Sequence, residues 1–230
     1  MRLLVASATD FEIDIFRNHI QKHFEQVREH VYCKENVEIY ICITGIGMMQ
    51  STFGLMESIQ EFNPHFCLQV GVAGAFSREL KLGQLVIVQS ELLGDFGVED
   101  NERFLDIFEI GLMKASESPF NNKQLINTFQ DFPLRLNLPF VSSLTVNTGS
   151  GRESTITRRE EHYGCEIESM EGASFHYVCL KKKIPFLQVR SISNYVEPRD
   201  KSKWKMQESI QALNDWMIGN IPMVKRITTS

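Results

Sequence analysis

Unbroken apolar runs alternate along this chain with stretches whose apolar residues recur every three or four positions, and the alternation predicts strands alternating with helices. Arg2–Ala8 is a compact apolar run ending at Ala8-Thr9-Asp10, where Thr9 or Asp10 can cap a helix whose face is marked by Ile13, Phe16, Ile20 and Phe24. Val31–Cys33 and Val37–Ile43, separated by Lys34-Glu35-Asn36, predict a hairpin. Its second strand runs into Thr44-Gly45-Ile46-Gly47, and a helix follows with Met49, Phe53, Met56 and Ile59 on one face, stopped by Asn63-Pro64. Phe66–Val70 is the most apolar run and the expected central strand; it closes in Gly71-Val72-Ala73-Gly74-Ala75. Leu82–Gln89 predicts another strand. From Leu92 to Ser118 the pattern weakens, leaving Phe96, Phe104, Phe108 and Leu112 as apolar islands in an acidic loop or short helix that could cover a pocket or meet a partner chain. Beyond it, Asn121–Phe132 is expected to be helical, Pro139–Val146 a strand, and Glu153–Tyr163 a polar helix.

The stretch Cys165–Arg199 is the most informative. It predicts a short strand, a turn bearing Glu168 and Glu171, and a helix in which Met170, Ala173, Ser174, Tyr177, Val178 and Cys179 share the helical spacing. Lys181–Lys183 sit where positive charge favours a helix C-terminus, Pro185 prevents continuation, and a strand Phe186–Ile192 leads into Ser193-Asn194-Tyr195. Trp204, Met206, Ile210, Leu213 and Met217 mark a C-terminal amphipathic helix, with a frayed tail expected over 222–230. Together the elements predict one α/β domain with a mixed sheet over residues 1–221.

Composition narrows the class. The 230 residues are 43% hydrophobic and 23% charged with a formal net charge of −5, which argues against a nucleic-acid partner. Five scattered cysteines without a CxxC pair suggest reduced thiols, with no disulfide framework and no metal site, and so a cytoplasmic enzyme. His162/Cys165 and His176/Cys179 are three apart, but no second ligand pair of zinc-site spacing accompanies them. The amino-terminal residues show no signal peptide, and no window of 18 uncharged apolar residues suggests a membrane span.

Candidate chemistry lies at the ends of predicted strands, where ligands bind in α/β folds. Glu12 falls in the first turn of a helix just past a strand; it is either a carboxylate favoured by the helix dipole or a reacting group. Gly45-Ile46-Gly47 fails the dinucleotide fingerprint, because Gln50 stands at the sixth position, and no Gly-Lys-Ser/Thr makes it a phosphate loop. It remains a glycine turn that brings backbone amides close to something. Glu171 enters a helix and Asn194 leaves a buried strand, which makes both site candidates. The small residues 71–75 either admit a ligand or pack tightly.

Several of these turns, taken in order, resemble the purine nucleoside phosphorylase and nucleosidase superfamily, in particular its hydrolytic branch and the futalosine hydrolases. The pieces are ASATDFE at 6–12, TGIG at 44–47, GVAGAF at 71–76, TVNTGSG at 145–151, ESMEGA at 168–173 and VRSISNYVEPR at 189–199. SMEGA followed about twenty residues later by VRSISN is specific; each piece alone is weak. The resemblance implies a three-layer phosphorylase/hydrolase fold, a central mixed sheet or distorted barrel flanked by helices, in a homodimer or higher homo-oligomer that needs no cofactor.

It also implies roles. Glu171 matches the glutamate that accepts from ribose hydroxyls, Met170 the methionine under the sugar, and Gly74 the sugar-side glycine loop, with Ile46 beside it. Glu12 matches the carboxylate that deprotonates the attacking water, and Arg190 an arginine supporting Glu171. Asn147, Thr148 and Gly149 form the base-side loop. Val72 stands where nucleosidases often carry serine. Asn194 departs from the aspartate of adenosine-type nucleosidases; its amide has a donor and an acceptor but no titratable proton, which suits a 6-oxopurine such as hypoxanthine. Glu12 and the lack of an arginine beside TGIG favour hydrolysis over phosphorolysis. Futalosine carries an aromatic carboxylate at its 5′ end, for which Ile46, Phe96, Phe104 and Phe108 are candidate walls and Arg199 or Arg152 a candidate partner.

Overall fold

A computed structural model describes residues 1–221 except 102, 130, 131, 135 and 136; the expected frayed tail lies outside the described residues. Among the described residues twelve strands and five α-helices follow one another. They are β1 (Arg2–Ser7), α1 (Asp10–His23), β2 (Glu25–Arg28), β3 (Val31–Lys34), β4 (Val37–Ile43), α2 (Gly47–Phe62), β5 (Phe66–Ala75) and β6 (Leu85–Leu93). Then come β7 (Gly97–Asp100), β8 (Arg103–Asp106), β9 (Leu125–Ile126), β10 (Phe140–Thr145), α3 (Glu153–Tyr163), β11 (Ile167–Ser169), α4 (Gly172–Lys182), β12 (Phe186–Tyr195) and α5 (Met206–Asn220).

The sheet runs β11-β10-β6-β12-β5-β1-β4-β3-β2, and β11 also pairs with β5. The strands β5, β12, β6, β10 and β11 therefore close on themselves as a five-stranded mixed barrel, from which β1 to β4 extend as an open wing. Closure depends on the length of β5. Its first half pairs in parallel with β1 and its end, Gly74-Ala75, pairs antiparallel with β11. Glycines at 71 and 74 let one strand serve both partners, since a residue without a side chain tolerates a sharp bend and a close neighbour. The strands β1, β4, β5 and β12 are mutually parallel in this array, so their carboxyl ends share one edge. Being covered on both faces, β1 and β5 show continuous apolar runs in place of alternation.

Helices α1 and α5 cover one face over Leu68, Val70 and Val189, and α2 and α4 cover the other over Cys42, Cys67 and Phe186. This is the expected three-layer arrangement. Two local expectations are corrected. Asn121–Phe132 is not a helix over its described residues: Asn122 and Lys123 take left-handed backbone angles (φ 47° and 70°), and Leu125–Ile126 then pair with β6. Asparagine tolerates that region, and two such residues in succession cannot continue a right-handed helix. The weakly patterned acidic segment contains a separate hairpin, β7–β8. Its Phe104 lies under the Arg158 guanidinium and Phe108 packs on Phe120, so neither joins the cavity described below, nor does Phe96. Among the described residues no helix is long and apolar enough to cross a membrane.

Candidate active site

A cavity of about 380 Å³ opens at the carboxyl ends of β1, β5 and β12. Glu12, Ile46, Gly74, Gly149, Met170, Glu171, Asn194 and Arg199 all line it, which brings together most of the residues singled out in the sequence. Asn147, Thr148 and Arg152 do not: the first two point their backbone elsewhere and Arg152 is exposed ahead of α3. Phe11, Glu168, Trp204 and Met206 also line the cavity without having been assigned to it.

Glu12 occupies the third position of α1, behind the capping residue Thr9. Its Oε2 accepts from the Ser7 hydroxyl, the Thr9 amide and the Thr9 hydroxyl, each at 3.1 Å, while Oε1 accepts from the Val72 amide at 3.1 Å. The capping and site readings are thus both realised: the reciprocal cap fixes the side chain, and the fixed carboxylate faces the cavity. Gly71 explains how Glu12 comes so close to β5. A Cβ there would stand 2.3 Å from Arg190 Nη1 and 2.8 Å from Glu12 Oε1. Gly71→Ala is expected to push both groups aside by about an ångström, lowering kcat at least ~100-fold together with the melting temperature. Gly219→Ala, with open space around it, is the control and is expected to keep full activity.

Glu171 caps α4 and is buried. Its Oε1 accepts from the Gly47 amide at 3.0 Å, so the glycine turn at 45–47, with φ of 86° and 79° at its glycines, serves to aim an amide at this carboxylate. The first turn of α4 is anchored in turn: Thr145 Oγ1 accepts the Ala173 N–H at 2.7 Å and donates to the buried Glu91 at 2.8 Å. Arg190 is buried beneath the site and donates to Gln69 at 3.0 Å; its charge acts on Glu171 through space.

Burial pushes the Glu171 carboxyl above its ordinary value; Arg190 and the Gly47 amide pull it partly back, and the charge of Glu12 adds to the rise. A carboxyl raised in the native state favours folding below its unfolded value of 4.5 and loses that contribution as pH rises through the raised value. Glu171→Gln is therefore expected to raise the melting temperature at neutral pH, by roughly 2–4 °C per kcal/mol of relieved burial. The gain should vanish below pH 4.5. Thermal scans from pH 4 to 8 would show this, and a constant difference across that range would rule it out.

Asn194 sits beyond a register shift in β12, opposite Gly74. Its Oδ1 accepts from the Ser193 hydroxyl at 2.8 Å and one Nδ2–H is given to the Tyr195 carbonyl at 3.0 Å. The second N–H has no hydrogen-bond partner among the described residues. At the rim the Arg199 guanidinium lies 5.2 Å from the Trp204 ring centre.

A family model described as the phosphorylase superfamily matches residues 2–218. The chain is 29% identical over 152 residues to a futalosine hydrolase of Streptomyces coelicolor, an alignment covering 64% of this chain and 61% of that protein, less than two thirds of its length. It is 22% identical over 241 positions to a 5′-methylthioadenosine/S-adenosylhomocysteine nucleosidase of Buchnera aphidicola, covering 100% and 98% of the two. Its fold superimposes on the native futalosine hydrolase of Helicobacter pylori with a TM-score of 0.76 at 18% identity, over 95% of this chain and 96% of that one. The chain belongs to the phosphorylase superfamily.

Proposed function

We propose that this enzyme hydrolyses the N-glycosidic bond of futalosine, releasing hypoxanthine and dehypoxanthine futalosine in the cytoplasm as a step of menaquinone synthesis. The observation that carries this reading is Asn194: it lines the same cavity as two fixed carboxylates and keeps one amide N–H without a partner among the described residues. As the C1′–N9 bond loosens, Glu171 accepts from the ribose hydroxyls and steadies the oxocarbenium-like sugar. The Asn194 N–H donates to the purine as negative charge develops on it. Glu12 takes the proton of a water attacking C1′ from the opposite face.

Among the described residues Arg199 is the one cation on the cavity wall, beside Glu12, Glu168, Glu171 and Glu197. That balance is poor for phosphate and suits water; in this reading Arg199, stacked on Trp204, pairs with a carboxylate at the 5′ end of the substrate. Ile46, Met49 and Phe53 are 55%, 83% and 64% exposed at helical spacing, and Ile46 also lines the cavity. Covering such side chains stabilises by roughly 1.5–3 kcal/mol each, so a homodimer joined beside the cavity is part of this reading. The full-length match to the Buchnera nucleosidase supports a second reading, in which the substrate is a 6-aminopurine nucleoside.

Base release from futalosine, inosine and methylthioadenosine, each with and without phosphate, separates these readings. Hypoxanthine from futalosine, independent of phosphate, is expected. Adenine from methylthioadenosine supports the second reading, and strict dependence on phosphate overturns hydrolysis altogether.

A further inference from the structure

We propose that Arg159 is a positioning residue that sets which purine edge the cavity accepts, acting through the loop 147–151. This rests on reading the Asn194 end of the cavity as the base site. The loop joins β10 to α3, and charged groups hold it from two sides. Asp95 Oδ2 accepts the Asn147 and Thr148 amides at 2.8 and 2.9 Å. Glu168 Oε1 accepts the Ser150 amide at 2.8 Å, and its Oε2 accepts the Ser150 hydroxyl at 2.5 Å.

Arg159 ties the two together. It is 2% exposed, on the inward face of α3 beside Ile156. Its Nη1 lies within donating distance of Thr148 O (2.9 Å), Ser150 Oγ (2.7 Å) and Glu168 Oε2 (2.9 Å), and Nη2 is 3.6 Å from Asp95 Oδ2. A planar guanidinium fixes several acceptors in one geometry, which an ammonium does not.

Gly149 is the residue between the pinned Thr148 and Ser150, and it lines the cavity. Its own N–H and C=O have no protein partner among the described residues. The frame therefore leaves the donor and the acceptor of one residue, on two successive peptide units held by Arg159 and Glu168, for a ligand that also meets Asn194. Rigid presentation is what makes a polar site selective: a base with the wrong edge leaves buried groups unpaired, whereas a loop free to turn can re-pair them. Loss of Arg159 should thus cost discrimination between bases more than it costs the cavity itself.

The test is calorimetric binding of hypoxanthine and adenine to the unmodified chain, to Arg159→Lys and to Asp95→Asn. Both variants are expected to shrink the ratio of the two Kd values at least 10-fold. A role confined to stability would lower the melting temperature and leave the ratio within about twofold, and that result overturns the proposal. If Arg159→Lys does not fold, Asp95→Asn decides alone. Unmodified protein that binds neither base sinks both this proposal and the function above it. A ratio that collapses in the variants while no nucleoside is hydrolysed sinks the function and upholds Arg159.

Discussion

Glu12→Gln is expected to lower kcat about 1,000-fold while substrate affinity changes less than ~10-fold. Removing a positioned general base typically costs 10²–10⁴ in rate, and Gln cannot take the proton of the attacking water. The substitution also has a structural cost that must be separated from the chemical one. All four donors on Glu12 point at carboxylate oxygens: Ser7 Oγ, Thr9 N and Thr9 Oγ1 at one, Val72 N at the other. An amide offers one oxygen, so one end would set an NH2 against a donor, and an unmet buried donor costs about 1–3 kcal/mol. Retaining the cap is the more favourable choice, which leaves the Val72 N–H unmet. A melting temperature lowered by several degrees is therefore expected as well. Initial rates taken well below that temperature separate the two effects. A folded variant retaining more than a tenth of kcat would leave Glu12 as a helix cap and no more.

The elements whose bounds were legible in advance are those whose burial is imposed locally. The apolar run of β4 and the polar helix α3, with a single buried apolar stripe at Ile156, sit where the pattern placed them. The end of β12 was less legible. The strand was expected over Phe186–Ile192, yet Asn194 and Tyr195 continue pairing with Gly74 and Ala75, because barrel closure supplies a partner that composition cannot reveal. The site shows the same division. Glu12, Glu171 and Asn194 stand at ends of elements and could be found from position together with motif. Asp95 and Arg159 could not. An arginine on a polar helix resembles a solvated side chain, and it is buried here only because a loop near residue 149 and the end of β6 fold over it. The expected aromatic wall failed at Phe104 and Phe108 for the converse reason: nearby partners, Arg158 and Phe120, hold these two away from the cavity, and Phe96 does not line it either.

Asn194→Asp is expected to reverse the base preference, shifting the ratio of kcat/KM for 6-oxopurine over 6-aminopurine nucleosides by at least ~100-fold. Discrimination by a hydrogen-bonding site can reach 10⁴ or more, and one exchanged group recovers part of that range. The geometry adds a second expectation. The oxygen that replaces Nδ2 would face the Tyr195 carbonyl at about the present 3.0 Å, two acceptors in contact, unless that oxygen carries a proton. The native fold would thus favour the protonated acid and raise its pKa. By the sign of that shift, the acid form is populated below the raised value and lost as pH rises through it. Only the acid form carries a proton that, on turning away from the Tyr195 carbonyl, can be given to N7 of an adenine-type leaving group. Activity of the variant on methylthioadenosine should accordingly climb as pH falls, while the unmodified enzyme, with an amide that does not titrate, should lack that limb. Rate profiles from pH 5 to 9 on inosine and methylthioadenosine would decide the matter. Equal loss on both nucleosides at every pH would mean that Asn194 holds the end of β12 in place and does not recognise the base.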